Sequence, residues 1–394
     1  MKINSLRALK SWSGKIVFLR VDFNVTAVNG RIKDDLKIIA GLETIKFLLA
    51  KQARVIIATH FGEPDGCFVP EYSAKSLASR LQKLLGQPVK FISETVGAKA
   101  SRAAANLKNG EVIFLENLRF NKGELDNDPQ FAQALAKLAD VYVNDAFAVS
   151  HRDQASLSAI KKFLPAYAGL LLEREVLALN KILKPQKPLV VIMGGAKINN
   201  YTKAPLIAKL LPFASQVLIG GAIANNFFKL QKLEIGLSLN DPDSARAIKN
   251  FYSGCRLNPK IILPLDVVVK TKQGRARCCL IKDVRRTEII LDIGPQTISL
   301  FAAYIKKAAT IIWNGPMGKY EVDSFRQGSL SVARLVAARS QGAAYGLVGG
   351  GETIEVLKLT KMAEYVDWIS TAGGAMLTYL GGGVMPGLVK LVVK

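Results

Sequence analysis

What most constrains this chain is a series of short, unbroken apolar runs, each ending on glycine, asparagine, aspartate, histidine or serine and most followed by a longer amphipathic stretch. Parallel strands covered by helices on both faces are written this way, as continuous Val, Ile and Leu rather than as an alternation. Residues 16–21, 55–59, 112–115 and 141–144 have this character in the first half, with helices expected over 73–85 and 129–138. A second series, at 189–193, 217–220, 261–263, 311–314, 345–348 and 367–370, follows a helical periodicity over 167–183 and a proline-bearing segment at 184–188. The pattern predicts an α/β protein of two αβα (Rossmann-like) domains with parallel sheets, bilobal, with an interdomain helix and hinge. The expected divisions are residues 1–166, the helix over 167–185, residues 186–375 and a final segment 376–394. Ligands in such sheets lie beyond the carboxyl ends of the strands.

Composition narrows the partners. The chain of 394 residues carries a formal charge of +23 with 49% hydrophobic and 22% charged residues, which excludes a disordered chain and raises the question of polyanions. No lysine block or basic tail is present, and the densest basic stretch, 270–286, reads as a solvated hairpin or loop edge. The four cysteines have no CxxC spacing, so neither a zinc site nor a disulfide framework is indicated, and a reducing cytoplasm is expected. Residues 1–14 lack the apolar core of a signal peptide. The uncharged stretches 210–228 and 368–389 are broken by glycine and proline and read as strand, loop and helix rather than as membrane spans.

Polar residues concentrate where the expected strands end. In the first half these are Arg20, Asp22 and Asn24; Thr59, His60 and Gly62; Glu116, Asn117 and Arg119; and Asn144, Asp145, His151 and Arg152. Any one of them is an ordinary cap or ion-pair residue, but their recurrence at successive strand ends implies one rim. With Lys37, such a rim suits a small anion, because arginine offers paired donors to carboxylate or phosphate. The second-half runs exit into glycine at 194–195, 220–221, 315–318, 349–351 and 373–374. Exposed amides at a following helix start can hold phosphate oxygens, so a nucleotide cleft is expected. Neither GxxxxGK[ST] nor GxGxxG occurs, which argues against ordinary P-loop and dinucleotide sites.

Taken in order, RVDFNV at 20–25, THFGEPDG at 59–66, ENLRF at 116–120, YVNDAFAVSHR at 142–152, GGAK at 194–197, DIGP at 292–295 with Thr297, WNGPMG at 313–318 with Glu321, GGGET at 349–353 and TAGGA at 371–375 resemble the phosphoglycerate kinase family along nearly the whole chain. The resemblance implies reversible transfer of the acyl phosphoryl group of 1,3-bisphosphoglycerate to ADP, giving ATP and 3-phosphoglycerate. It implies a cytoplasmic monomer of glycolysis and gluconeogenesis that uses Mg-ADP and Mg-ATP and no nucleic acid. By position, Asp22, Phe23, Asn24, Lys37, His60, Glu63, Arg119 and Arg152 would meet the glycerate. Gly195, Ala196, Lys197, Tyr201, Gly220, Gly221, Asn314, Glu321, Gly350, Gly351, Glu352 and Thr353 would surround the nucleotide, with Glu321 at the ribose and Glu352 at the metal. Lys37, Lys197 and the amides near Gly350 and Gly373 would surround the transferring phosphoryl group. A carboxylate nucleophile is already ionised at neutral pH, so positioning and positive charge are needed rather than a general base. The resemblance also implies closure about the hinge before transfer, and a return of 376–394 to the first domain.

Several positions depart from the family pattern. Lys37 replaces an arginine, Glu63 replaces an arginine of SHLGRP, and Tyr201 stands where a lysine follows GGAK. Lys203 lies two positions later and on a helix would face elsewhere. Glu43, Gln154, Thr26, Ala372 and the longer Glu352 are lesser changes. At ~1–3 kcal/mol for each altered cationic contact, the three main changes together reach several orders of magnitude in rate. The alternatives to an active kinase are therefore a catalytically weakened relative and, from the charge, a basic nucleic-acid-binding or scaffold protein, for which no motif is present.

Overall fold

Successive residues of strand Ile16–Val21 bury on opposite sides: Val17, Leu19 and Val21 enter one apolar cluster and Phe18 the other. Strands Arg54–Ala58 and Val112–Leu115 alternate in the same way. Helices Leu36–Ala50 and Lys75–Leu85 fill the first side with Ile38, Ile45, Leu77 and Leu81. Ala98–Ala105 and Pro129–Ala136 fill the second with Ala100, Ala104, Ala132 and Leu135. Each large apolar side chain withdrawn from water contributes ~1.5–3 kcal/mol, which is why the run is apolar up to Arg20 near its carboxyl end.

The computed structural model describes residues 2–28, 31–196, 203–242 and 244–393. The chain divides into two units, Met1–Leu177 with Val384–Lys394, and Ala178–Gly383. The first unit has a six-stranded parallel sheet in the order Val89–Ile92, Val112–Leu115, Arg54–Ala58, Ile16–Val21, Val141–Asp145, Ala166–Ala168. Strand Val392–Val393 belongs to this unit and pairs antiparallel with Lys2–Ile3, while Lys161 Nζ donates to the Pro386 carbonyl at 2.6 Å.

The expected helix over 167–183 is corrected at its start. Tyr167 and Ala168 lie in a strand paired with Val141–Asp145, and the helix runs from Leu170 to Leu183. Gly169 makes the break: a Cβ there would meet Asp145 Oδ1 at 2.2 Å, and the same oxygen accepts from Leu172 N at 3.0 Å, holding the first turn. Asp145 is buried among these donors, and burial pushes its carboxyl up to about 6.

The second unit has its own six-stranded parallel sheet, in the order Ile261–Ile262, Gln216–Ile219, Leu189–Met193, Thr310–Asn314, Tyr345–Gly349, Trp368–Ser370. Numbered along the sheet's own strands this is 3-2-1-4-5-6, whose order reverses between Leu189–Met193 and Thr310–Asn314, the place where such sheets open a crevice. Beside it lies a three-stranded antiparallel sheet of Ala276–Leu280, Asp266–Lys270 and Ile289–Ile293. The basic stretch 270–286 is largely a hairpin of this sheet, and Arg277 reaches both oxygens of Glu288 at 2.9 and 2.6 Å. Among the described residues no helix is long and apolar enough to cross a membrane.

Candidate active site

In the first unit, the end of strand Ile16–Val21 turns Arg20 inward. Its Nε donates to Ser156 Oγ at 2.9 Å, and the amide and hydroxyl of Ser156 donate to the two Glu124 oxygens at 2.9 and 2.6 Å. All three side chains are buried, and burial lowers the guanidinium and raises the Glu124 carboxyl. Arg20 Nη2 lies 3.3 Å from His60 Nδ1. A guanidinium only donates, so Nδ1 accepts and the imidazole proton sits on Nε2, which is 4.0 Å from Asp22 Oδ1. Burial, then Arg20, Arg119, Lys37 and Arg152 hold His60 well below the usual imidazole range, so it is a neutral donor at pH 7.

Asp22 pairs with Lys37 at 2.8 Å and accepts from Asn24 N at 3.1 Å, and Asn24 Oδ1 accepts from Gly62 N at 3.0 Å. These contacts bring together Asp22, Asn24, Lys37 and His60, as the sequence predicts. Phe23 is different: its ring is buried in the core against Phe114 and Gly41, and its amide is spent on Thr59 Oγ1 at 3.0 Å. Asn117 pins the loop after strand Arg54–Ala58, accepting from Phe61 N and Arg119 N at 3.1 Å each. Arg119 is thereby buried, with Nη1 on the Gly62 carbonyl at 2.9 Å and on Glu63 Oε2 at 2.6 Å. Its Nε and Nη2 have no partner. Arg152 reaches the other Glu63 oxygen at 3.5 Å. Burial and the Arg152 charge lower the Arg119 guanidinium, and Glu63 opposes them.

In the second unit three strand exits interlock. Gly195 N donates to the Pro316 carbonyl at 2.8 Å and Gly221 N to the Met317 carbonyl at 3.0 Å. They border a cavity of about 360 Å³ lined by Gly195, Ala196 and Gly221, by apolar Phe228, Leu239, Val267, Ile290 and Met317, and by Glu321 and Glu352. Gly220 abuts Met317 behind this lining. Asn314 and Thr353 are buried and tie the frame rather than line the cavity: Asn314 Nδ2 donates to Gly349 O at 2.8 Å, and Thr353 Oγ1 accepts from Gly315 N at 2.7 Å. Gly350 caps helix Gly351–Thr360 at φ 98°, where a Cβ would sit 2.8 Å from Asn314 Nδ2. Glu352 lies in the first turn of that helix, where a carboxylate is favoured. Gly373, at φ 49°, precedes helix Gly374–Leu380 and has open space around it.

Lys203 overturns one expectation. Although Lys203 lies in helix Lys203–Leu210, its long side chain reaches the glycine turn after strand Leu189–Met193. Its Nζ donates to the Gly194 carbonyl at 2.6 Å. A Cβ on Gly195 would stand 3.0 Å from that Nζ and 3.7 Å from Glu352 Oε2, so cation and carboxylate converge on the glycine turn. Burial pushes the Lys203 ammonium down to about 8, against the pull of Glu352. Lys197 and Tyr201 lie outside the described residues.

The apolar wall supplied by Val267, Ile289 and Ile290 also escapes sequence reasoning, because its two short strands are antiparallel and joined through a third, Ala276–Leu280, that carries Arg and Cys. The DIGP motif supports that wall. Asp292 accepts from Ile293 N at 2.9 Å and Gly328 N at 2.8 Å, and burial pushes its carboxyl up to about 7. Asp266 accepts from Gln296 N at 3.0 Å and Thr297 N at 2.8 Å, holding the start of helix Pro295–Ile305.

The family model described as phosphoglycerate kinase matches residues 6–383. A phosphoglycerate kinase of Herpetosiphon aurantiacus is 43% identical over 387 residues, 97% of each chain, and one of Pelotomaculum thermopropionicum is 40% identical over 386 residues, again 97% of each. The solved phosphoglycerate kinase of Coxiella burnetii superposes with a TM-score of 0.87 at 36% identity over 99% of both chains. That of Pyrococcus horikoshii gives 0.83 at 30% identity over 98% of both. Matched by the family model over residues 6–383 and by relatives 40–43% identical over 97% of each chain, the chain belongs to the phosphoglycerate kinase family.

Proposed function

We propose that the guanidinium cluster of the first unit holds the phosphoglycerate and that the glycine-framed cavity of the second holds the magnesium nucleotide. The activity itself follows from family membership over nearly the whole chain: phosphoryl transfer between a nucleotide and a carboxyl acceptor, the phosphoglycerate kinase reaction of glycolysis. The observation that carries the substrate side is Arg119, a buried cation with two guanidinium nitrogens left without a hydrogen-bond partner. A phosphate or carboxylate satisfies those donors and offsets the cost of the buried charge. Neutral His60 offers its Nε2 proton to the same anion, and Lys37, held by Asp22, adds a further cation.

On the nucleotide side the apolar wall suits a base, Glu321 the ribose hydroxyls, and Gly195, Gly221 and Gly350 allow close approach of phosphates. Among the described residues Lys203 is the cation that reaches this turn, and it takes the role expected of position 201, beside the oxygens of the transferring group. Gly373 contributes an amide at a helix start. Among the described residues no cluster of three or more His, Cys, Asp or Glu forms a metal cage. That fits magnesium, which is commonly held by one or two carboxylates plus substrate phosphates, and Glu352 is the carboxylate placed for it. Bound there, magnesium neutralises phosphate charge. We further propose that the protein works as a cytoplasmic monomer.

The test is a coupled assay of ATP formation from 1,3-bisphosphoglycerate and ADP. Turnover is expected. Absence of turnover above background, with ADP still bound, overturns the reading in favour of a catalytically weakened relative.

A further inference from the structure

Glu63 is an anion at the rim of the guanidinium cluster that bridges two of its arginines. One carboxylate oxygen meets Arg119 Nη1 at 2.6 Å and the other meets Arg152 Nη2 at 3.5 Å. The two partners differ in kind: Arg119 is fully buried, whereas the Glu63 side chain is 65% exposed. The loop that carries Glu63 is itself fixed, because Gly62 N donates to Asn24 and Gly62 O accepts from Arg119. The carboxylate is thus delivered to the guanidinium by its backbone, while its side chain remains free to rotate into water.

A buried guanidinium without a countercharge is costly, and Glu63 supplies that countercharge while no substrate is bound. It supplies it incompletely, since Arg119 Nε and Nη2 remain without partners. A phosphate group has more acceptor oxygens and more charge than a carboxylate, so it can satisfy the whole fork where Glu63 satisfies one edge. We propose that Glu63 is an internal counter-ion seated where the anionic group of the substrate binds, so that phosphoglycerate enters by displacing a carboxylate of the chain itself. The idea rests on the reading of this cluster as the phosphoglycerate site. Its consequence is selectivity: the net gain on binding is the difference between two anions, so only a ligand with more charge and more acceptors than a glutamate side chain is retained.

The experiment compares the full-length wild type with Glu63→Gln and Glu63→Ala. Steady-state kinetics are run with ATP and 3-phosphoglycerate, and binding of 3-phosphoglycerate alone is measured by titration calorimetry. Both KM and Kd for 3-phosphoglycerate are expected to fall about 10-fold or more in each variant, with KM for ATP unchanged, so that the effect falls on KM rather than kcat. Unchanged or weaker 3-phosphoglycerate binding in both variants overturns the proposal. If no protein turns over but the variants bind 3-phosphoglycerate more tightly than wild type, the kinase reading fails and displacement stands. If wild type turns over normally and KM is the same in all three, displacement fails and the kinase reading stands.

Discussion

Lys203 donates its ammonium proton to the carbonyl of Gly194 at 2.6 Å, from helix Lys203–Leu210 onto the glycine turn after strand Leu189–Met193. A carbonyl satisfies one of three donors, leaving the others for phosphate oxygens. Lys203→Met is expected to lower kcat/KM by ~10–100-fold, the scale of one charged hydrogen bond. Burial sets this ammonium at about 8, so its charge, and with it kcat/KM for ATP, falls as pH rises through about 8. Lys203→Arg removes that break, since a guanidinium stays charged. A pH–rate profile of the three proteins checks both statements.

Glu124 compensates Arg20 through Ser156, deep beneath His60. Glu124→Ala leaves a buried guanidinium unpaired, and the expected loss is ~3–5 kcal/mol of stability. Urea unfolding reads it directly; a loss below 1 kcal/mol, the scale of an exposed pair, would contradict the arrangement.

Asp292 titrates near 7 in the folded protein against an ordinary aspartate value of 3.8. Between about 4 and 7 the native chain therefore keeps a proton that the unfolded chain has released, and this residue's contribution makes stability fall as pH rises through that window. Asp292→Asn removes the slope, so the variant fares better against wild type at pH 7 than at pH 4. Thermal unfolding of both proteins across pH 4–7 measures the difference.

At Gly350, φ of 98° is a region that L side chains rarely adopt, and the nearest atom to a Cβ is the Asn314 amide nitrogen that bonds Gly349. Gly350→Ala is expected to cost ~1–2 kcal/mol in stability. It should raise KM for ATP severalfold while leaving KM for 3-phosphoglycerate unchanged, since Gly350 belongs to the second unit and the guanidinium cluster to the first. Parallel titrations of both substrates settle it.

The central strands are legible in the sequence because burial on both faces favours continuous apolar residues, with polar ones such as Arg20, Asn144 and Asp145 near the carboxyl ends. Val89–Ile92 is not, being an edge with exposed Lys90, nor is Ala166–Ala168, three residues that continue seamlessly into a helical pattern. In the site, Arg119 and His60 can be read from strand-end position, and the structure gathers them with Lys37 of helix Leu36–Ala50. The pairing of Glu63 cannot: motif comparison registers a reversed charge, but where a long side chain comes to rest depends on which guanidinium is buried beside it. Lys203 is hidden for a related reason, since where its long side chain comes to rest depends on the glycine turn beside it, and Phe23 sits inside a matching motif yet serves the core.

The pairing of Val392–Val393 with Lys2–Ile3 has a consequence for the order of events at the ribosome. Residues 178–383 form one continuous unit, whereas the other unit is opened by the first residues and completed by 384–394. Translation therefore delivers all of the second unit before the last strand of the unit it began with, and a nascent chain has a finished second unit while its first is still waiting for a partner.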